Sequence, residues 1–228
     1  MPLLLNIYTA TNIASVCITL NGTTLAFEKN EEQKQHASFL HIAIAEILKK
    51  AGVSLSDIEA FAVTSGPGSY TGLRVGMAAA KGFCYALSKP LITVNTLKVM
   101  TKAALGCKGN LDKKVLFCPL IDARRMEVFT AIYNADLEPI LSPQAIILKE
   151  GIFGNYMINN KVLFFGSGSA KLKPVVSNVN GIFINVQFNA IHLGQLAETC
   201  FYNKRFTDVA HSEPTYFKDF YATSTNAN

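Results

Sequence analysis

The sequence contains no run of about 18 consecutive apolar residues, the length a membrane-spanning helix needs, although half of its 228 residues are hydrophobic. Charge is also scarce, at 16% of residues. Such a chain folds much of its surface into a core, as one large domain or two small lobes. The opening MPLLLNIYTATN lacks the basic segment that begins a secretory signal and turns polar quickly. A cytosolic location with no membrane partner is the expectation.

Metal, disulfide and hydrolase signatures are missing too. The five cysteines (Cys17, Cys84, Cys107, Cys118, Cys200) are odd in number, widely spaced and form no CxxC pair. Buried free thiols are the plain reading. The four histidines are His36, His41, His192 and His211. A helical metal pair needs a spacing of four. His36 and His41 are five apart, roughly 140° around a helix, so no metal site is expected. GSYTG carries Ser69, but not as GxSxG and with no histidine nearby, which argues against an elbow hydrolase.

What is present is a run of short elements. LLNIY reads as a buried strand and ASVCITL alternates with period two. Asn21-Gly22 is a hairpin dipeptide, and TTLAF (Thr23–Phe27) returns. Asn30 is placed to cap a helix, with Glu31 and Glu32 in its first turn. Phe39, Leu40, Ala43, Ile44, Ile47 and Leu48 then recur at helical spacing up to Gly52. FAVT (Phe61–Thr64) is a strand. It runs into SGPGSYTGLRVG (Ser65–Gly76), which opens a helix rich in glycine and alanine. Pro90 precedes the strand LITV, and Thr96 is placed to cap a helix to about Ala104.

The polar segment GCKGNLDKK suggests a lobe boundary, dividing the chain into 1–106 and 107–228. VLFCPLID, the turn ARRM and EVFTAIY then repeat the opening hairpin, with Asp122 falling where Tyr8 falls. VLFFGSGSA, GIFINV and an amphipathic helix over Asn189–Phe206 follow, the last free to pack back on the first lobe. TSTNAN reads as a frayed end. Two related α/β lobes with a ligand cleft between them fit this order.

The glycine loop fails the named phosphate cradles. No lysine follows any of its glycines at Walker spacing. The third glycine of a dinucleotide fingerprint comes one residue late, and no acidic residue stands about 20 positions on. Two readings remain. In one, Gly66-Pro67-Gly68 is a sharp turn whose backbone N–H groups, with Ser69, Thr71 and Arg74, could hold an anion. In the other, the glycines only let strand and helix pack closely. Asp122 is the best carboxylate, ending an apolar strand. Nucleotide-handling folds of two lobes generally use one carboxylate per half, and Tyr8 is a poor magnesium partner. Lys98, Lys102, Lys108, Lys113, Lys114, Arg124 and Arg125 make a basic stretch within a net charge of +5. Either a nucleic-acid face or scattered solvated side chains would account for it.

SGPGSYTGLRVG closely resembles the hallmark segment of the TsaB (YeaZ) family. IYTATNIASVCITL resembles that family's first hairpin, PLIDARRMEVFTAIY its second, and EPTYFKDF its closing segment. The resemblance implies a two-lobed actin/Hsp70-like (ribonuclease H-like) fold, each lobe a mixed sheet with helices. It implies a non-catalytic subunit that pairs with the catalytic subunit TsaD and the ATPase TsaE. Together they move a threonylcarbamoyl group onto N6 of adenosine 37 in tRNA. The metal-binding histidine pair of the catalytic relative is absent here, and Tyr8 stands where the family commonly has Asp. No cofactor is expected on this subunit alone, with ATP or ADP confined to the interface in the complex. The implied pairing surface uses the first two helices, through His36, Phe39, Leu40, Ala43, Ile44, Gly72, Val75, Gly76 and Ala79. A homodimer through the same surface is expected when the partner is absent. The rival readings are a stand-alone small ATPase or phosphotransferase of the same superfold, and a peptidase.

Overall fold

A hairpin dipeptide between two apolar runs decides how the chain begins. Strands β1 (Leu3–Tyr8), β2 (Ala14–Leu20) and β3 (Thr23–Asn30) form an antiparallel meander. Its β2–β3 turn holds Asn21 at φ 50° and Gly22 at φ 73°, the left-handed pair such turns require. The computed structural model describes residues 1–31, 36–106 and 114–217. Glu32, Cys107, Lys108, Lys113 and TSTNAN lie outside the described residues, as does the side chain of His36. The closing segment is described as far as Phe217.

After the meander come α1 (His36–Ala51), β4 (Ala60–Gly66), α2 (Tyr70–Leu87), β5 (Leu91–Asn95) and α3 (Thr96–Gly106). Strand β4 runs parallel to β1, and β5 parallel to β4, giving the order β3-β2-β1-β4-β5. The second half repeats this with β6 (Val115–Asp122), β7 (Glu127–Tyr133), β8 (Pro139–Ile147), β9 (Lys161–Phe165) and β10 (Gly181–Phe183) in the order β8-β7-β6-β9-β10. The helices between its strands shrink to α4 (Gly154–Met157) and α5 (Ser169–Leu172), and α6 (Ala190–Tyr202) closes the set.

The helix that follows each sheet covers the other one. Leu97, Met100, Ala103 and Ala104 of α3 pack with Val115, Phe117 and Phe165 of the second sheet. Ala190, Leu193, Leu196 and Ala197 of α6 pack with Leu4, Tyr8 and Cys17 of the first. The opposite face of that sheet, with Leu3, Leu5 and Ile7, is covered by α1 and α2, as alternation along a strand requires. The duplicated order and exchanged helices make this the two-lobed actin-like fold. Among the described residues no helix is long and apolar enough to cross a membrane.

Several local expectations are corrected. Asn30 does not cap α1. It ends β3, opposite Ala14, because the ladder continues past Phe27. Asn95, not Thr96, caps α3: its Oδ1 accepts from the N–H groups of Leu97 at 2.9 Å and Lys98 at 3.4 Å. The helix after Asn189 ends at Tyr202 rather than Phe206, and β10 covers only the first half of GIFINV. Strand β8 was not legible, since PILSPQAII carries two prolines and lies at the sheet edge, where proline is tolerated. Of the basic stretch, Lys108 and Lys113 lie outside the described residues. Lys114 and Arg124 flank opposite ends of the eight-residue strand β6, about 26 Å apart at strand rise.

The described cysteines are free, with Cys17, Cys84 and Cys118 buried. Burial pushes the Cys17 and Cys118 thiols up to about 12 and Cys84 to about 11, so they stay protonated and inert.

The glycines of α2 face different ways. A Cβ at Gly72 would collide with the carbonyl oxygen of Thr9, and one at Gly76 with the Thr9 hydroxyl. At Gly82 it would meet nothing within 4 Å. Gly72→Ala therefore forces the helix off β1 and is expected to cost about 2 kcal/mol or more. Gly82→Ala only raises helix propensity, and is expected to stabilise by up to about 1 kcal/mol. Urea denaturation of the two variants reads both signs.

Candidate functional site

Three turns meet where the lobes face each other, around a cleft of about 780 Å³ lined by residues 10–13, 68–71 and 121–124 with Phe129, Ser167 and Phe188. The first turn joins β1 to β2. The second is the glycine loop between β4 and α2. The third joins β6 to β7, where Arg124 (φ 67°) and Arg125 (φ 48°) are both left-handed.

The glycine loop is packed, not open. Ser65, next to the last residue of β4, has its carbonyl accepting from the Thr215 N–H at 2.7 Å. Gly66 (φ +111°) has the Thr215 carbonyl oxygen 2.7 Å from where a Cβ would stand. Pro67 follows in the cis form. A Cβ at Gly68 would collide with the Ala10 carbonyl oxygen. The Ser69 N–H donates to that same oxygen at 2.7 Å, and the Ser69 hydroxyl accepts from the Gly72 N–H at 3.3 Å. The expectation of uncovered backbone donors is thus corrected at Ser69 and Gly72, whose donors are spent within the lobe. Thr71 and Tyr70 do line the cleft. Arg74 points elsewhere than expected: its Nε donates to the Tyr216 hydroxyl at 3.1 Å, and its guanidinium lies 4.0 Å over the Tyr70 ring.

Asp122 reaches the cleft as expected. Its Oδ1 accepts from Lys171 Nζ at 2.6 Å and from the Arg124 N–H at 2.7 Å, while its own N–H donates to Ser167 Oγ at 3.0 Å. The Lys171 ammonium, first, and the Arg124 N–H hold the carboxyl below the usual carboxylate range. Ser167, Lys171, Phe129 and Phe188 were missed from sequence. The repeat could have found the first two, because GSG (166–168) after β9 answers to GPG (66–68) after β4. Gly166 at φ +98° matches Gly66 at +111°, and the Gly168 N–H donates to the Leu120 carbonyl at 3.0 Å much as Ser69 does to Ala10.

Tyr8 ends β1 where Asp122 ends β6. It is fully buried, 6.2 Å from the Phe188 ring. Burial raises the phenol far above its ordinary value, with the Thr11 side chain acting the other way. A phenol so raised stays neutral at physiological pH. The cleft therefore presents one carboxylate, already ion-paired. Magnesium nucleotides need free oxygen ligands, and this donor set does not suit them. No histidine described here lines the cleft, and among the described residues no three His, Cys, Asp or Glu side chains cluster for a metal.

The expected partner surface is also revised. Leu40, Ala43 and Ile44 are buried in the first lobe's core, as are Gly72 and Gly76. They close the lobe itself, while Phe39, Val75 and Ala79 are part-exposed at its margin. The outer face carries Ile42, 64% exposed, and Tyr85, 86% exposed.

The Asp122 pair has a signed pH dependence. A carboxyl whose folded value is depressed adds stability above the unfolded value, lost as pH falls through the folded one. Lys171→Ala is expected to raise the Asp122 titration midpoint toward the ordinary aspartate value of 3.8. Carbon-detected NMR of the carboxyl follows it, and an unmoved midpoint would contradict the pairing.

Comparison with known proteins agrees with this geometry. A family model described as TsaD, tRNA N6-adenosine threonylcarbamoyltransferase, matches residues 29–212. The tRNA threonylcarbamoyladenosine biosynthesis protein TsaB of Bacillus subtilis (strain 168) is 26% identical over 94% of this chain and 93% of its own. TsaB of Escherichia coli (strain K12) is 35% identical over 63% of this chain and 64% of its own. A crystal structure of a Pseudomonas aeruginosa protein with similarity to peptidase YeaZ superposes at TM-score 0.84 with 23% identity, covering 96% of this chain and 100% of that one. That likeness speaks for the fold. The chain belongs to the family of the matched model, and within it to the TsaB (YeaZ) group.

Proposed function

We propose that this chain is a non-catalytic scaffold subunit of the machinery that transfers a threonylcarbamoyl group from threonylcarbamoyl-AMP to N6 of adenosine 37 in tRNAs reading ANN codons. Family membership supports a part in tRNA threonylcarbamoyladenosine biosynthesis. The observation that carries the non-catalytic reading is Tyr8. A neutral, buried phenol occupies the position where a second carboxylate would face Asp122, and Asp122 is neutralised by Lys171. A cleft so equipped positions no metal-bound phosphate and activates no water. ATP or ADP, where the assembly uses one, is held with the partner.

The work is then done by docking, to a TsaD-type catalytic subunit that engages tRNA, with a TsaE-type ATPase recruited to the pair. The outer face of α1 and α2 supports this. Gly82 sits in the exposed middle of α2 with open space beside it. A glycine there costs about 1 kcal/mol of helix stability, and nothing among the described residues requires it. Close approach by another helix does. Ala78 and Tyr85 lie on the same exposed side, and Ile42 adds apolar area from α1. A face of this kind, burying about 800 Å² per partner, is of ordinary size for a specific pair. The same face joins two copies of the chain when the partner is absent.

Reconstitution tests both parts. Catalytic subunit, ATPase, adenylate-forming enzyme, tRNA, ATP, threonine and bicarbonate are mixed with and without this chain. Modified adenosine is expected to require the chain. Add-back of Ala78→Arg or Tyr85→Ala is expected to weaken pairing about tenfold or more while the melting temperature holds. Modification undiminished without the chain would end the proposal, and unimpaired pairing by both variants would move the docking face.

A further inference from the structure

The segment after α6 does not trail into solvent. Thr207 bridges to Leu91 on the edge strand β5, its N–H donating to the Leu91 carbonyl at 2.8 Å. Lys81 on α2 then donates to the carbonyls of Ala210 at 3.1 Å and Ser212 at 3.0 Å. The Thr215 N–H donates to the Ser65 carbonyl at 2.7 Å, pressing the chain against the glycine loop. Tyr216 lies 5.4 Å from the Tyr70 ring and accepts from Arg74 Nε. One residue later the chain has crossed to the other lobe, where the Phe217 ring stands 6.2 Å from that of Phe129 on β7. Tyr70 and Phe129 both line the cleft, from opposite lobes.

We propose that residues 213–217 are an intramolecular tether across the mouth of the cleft, anchored to the first lobe through Thr215 and Tyr216 and to the second through Phe217 on Phe129. The two ends differ in strength. The first-lobe end has a main-chain hydrogen bond, a guanidinium hydrogen bond and a ring pair. Among the described residues the second-lobe end has one ring pair, which makes it the weaker of the two. A ring pair of this kind shifts an opening equilibrium by roughly two- to tenfold. The tether therefore sets how far the β6–β7 turn, with Asp122 and Arg124, stands from the glycine loop. It also couples anything that binds the tail to the width of the cleft. None of this depends on the function proposed above.

Hydrogen–deuterium exchange of the full-length protein tests it. Phe217→Ala removes the second-lobe ring pair, and Tyr216→Ala removes the ring and guanidinium contacts of the first-lobe end while leaving the Thr215 main-chain bond. Amides 121–126 are expected to exchange about two- to tenfold faster in Phe217→Ala, less so in Tyr216→Ala, and no faster in the double variant than in Phe217→Ala, because one cut already frees a tether. Amides 60–64 in β4 report global stability and are expected to keep their native rate. Phe217→Tyr, which retains the ring, is expected to restore native exchange. Unchanged exchange at 121–126 in both single variants overturns the tether, as does equal acceleration at 60–64.

Discussion

The close approach of three glycines to one stretch of main chain organises the first lobe. Gly68, Gly72 and Gly76 leave room for the backbone and hydroxyl of Thr9 and the carbonyl of Ala10. The gap is sealed by the Thr9 hydroxyl donating to the Gly72 carbonyl at 2.7 Å and the Ser69 N–H donating to Ala10 at the same distance. Any Cβ at these positions would push α2 away from β1. This contact also brings Ala10 and Gly68 together in the lining of the cleft. The glycines that look like a phosphate cradle serve as a hinge plate for packing.

The duplicated lobes share a topology and differ in chemistry. Each has a hairpin whose first strand ends facing the cleft region and a glycine turn beside it. In the second lobe that strand ends in Asp122, solvent-accessible and ion-paired. In the first it ends in Tyr8, turned into the core against Phe188. A pair of facing carboxylates could hold a cation between the lobes. One carboxylate and one buried phenol cannot. The fold accommodates Tyr8 because its ring is buried in the apolar core beside Phe188.

The hairpins, the glycine loop and the repeat were legible because they rest on local rules. Asn21-Gly22 demands a tight turn, and the alternation of β1 and β2 shows through a single window of sequence. Asp122 and Tyr8 could be aligned for the same reason. Strand β8 was not legible, because Pro139 and Pro143 break the pattern and its pairing is decided by β7. The faces of α1 and α2 were hidden as well. Leu40, Ala43 and Ile44 look alike to a docking surface and to a core, and only the sheet beneath them decides. Gly72 and Gly82 belong to one helix and one residue type, yet one touches Thr9 and the other touches nothing. The C-terminal contacts of Tyr216 with Tyr70 and of Phe217 with Phe129 join residues far apart in the sequence, where no periodicity speaks.

The central claim is that this chain has kept the shape of a nucleotide-handling fold without the ligands to use it alone. Calorimetric titration of the isolated protein with magnesium ATP tests that most directly. The account predicts no saturable binding up to about 1 mM and no phosphate release. Saturable binding at micromolar concentrations, abolished by Asp122→Asn and accompanied by hydrolysis, would contradict it.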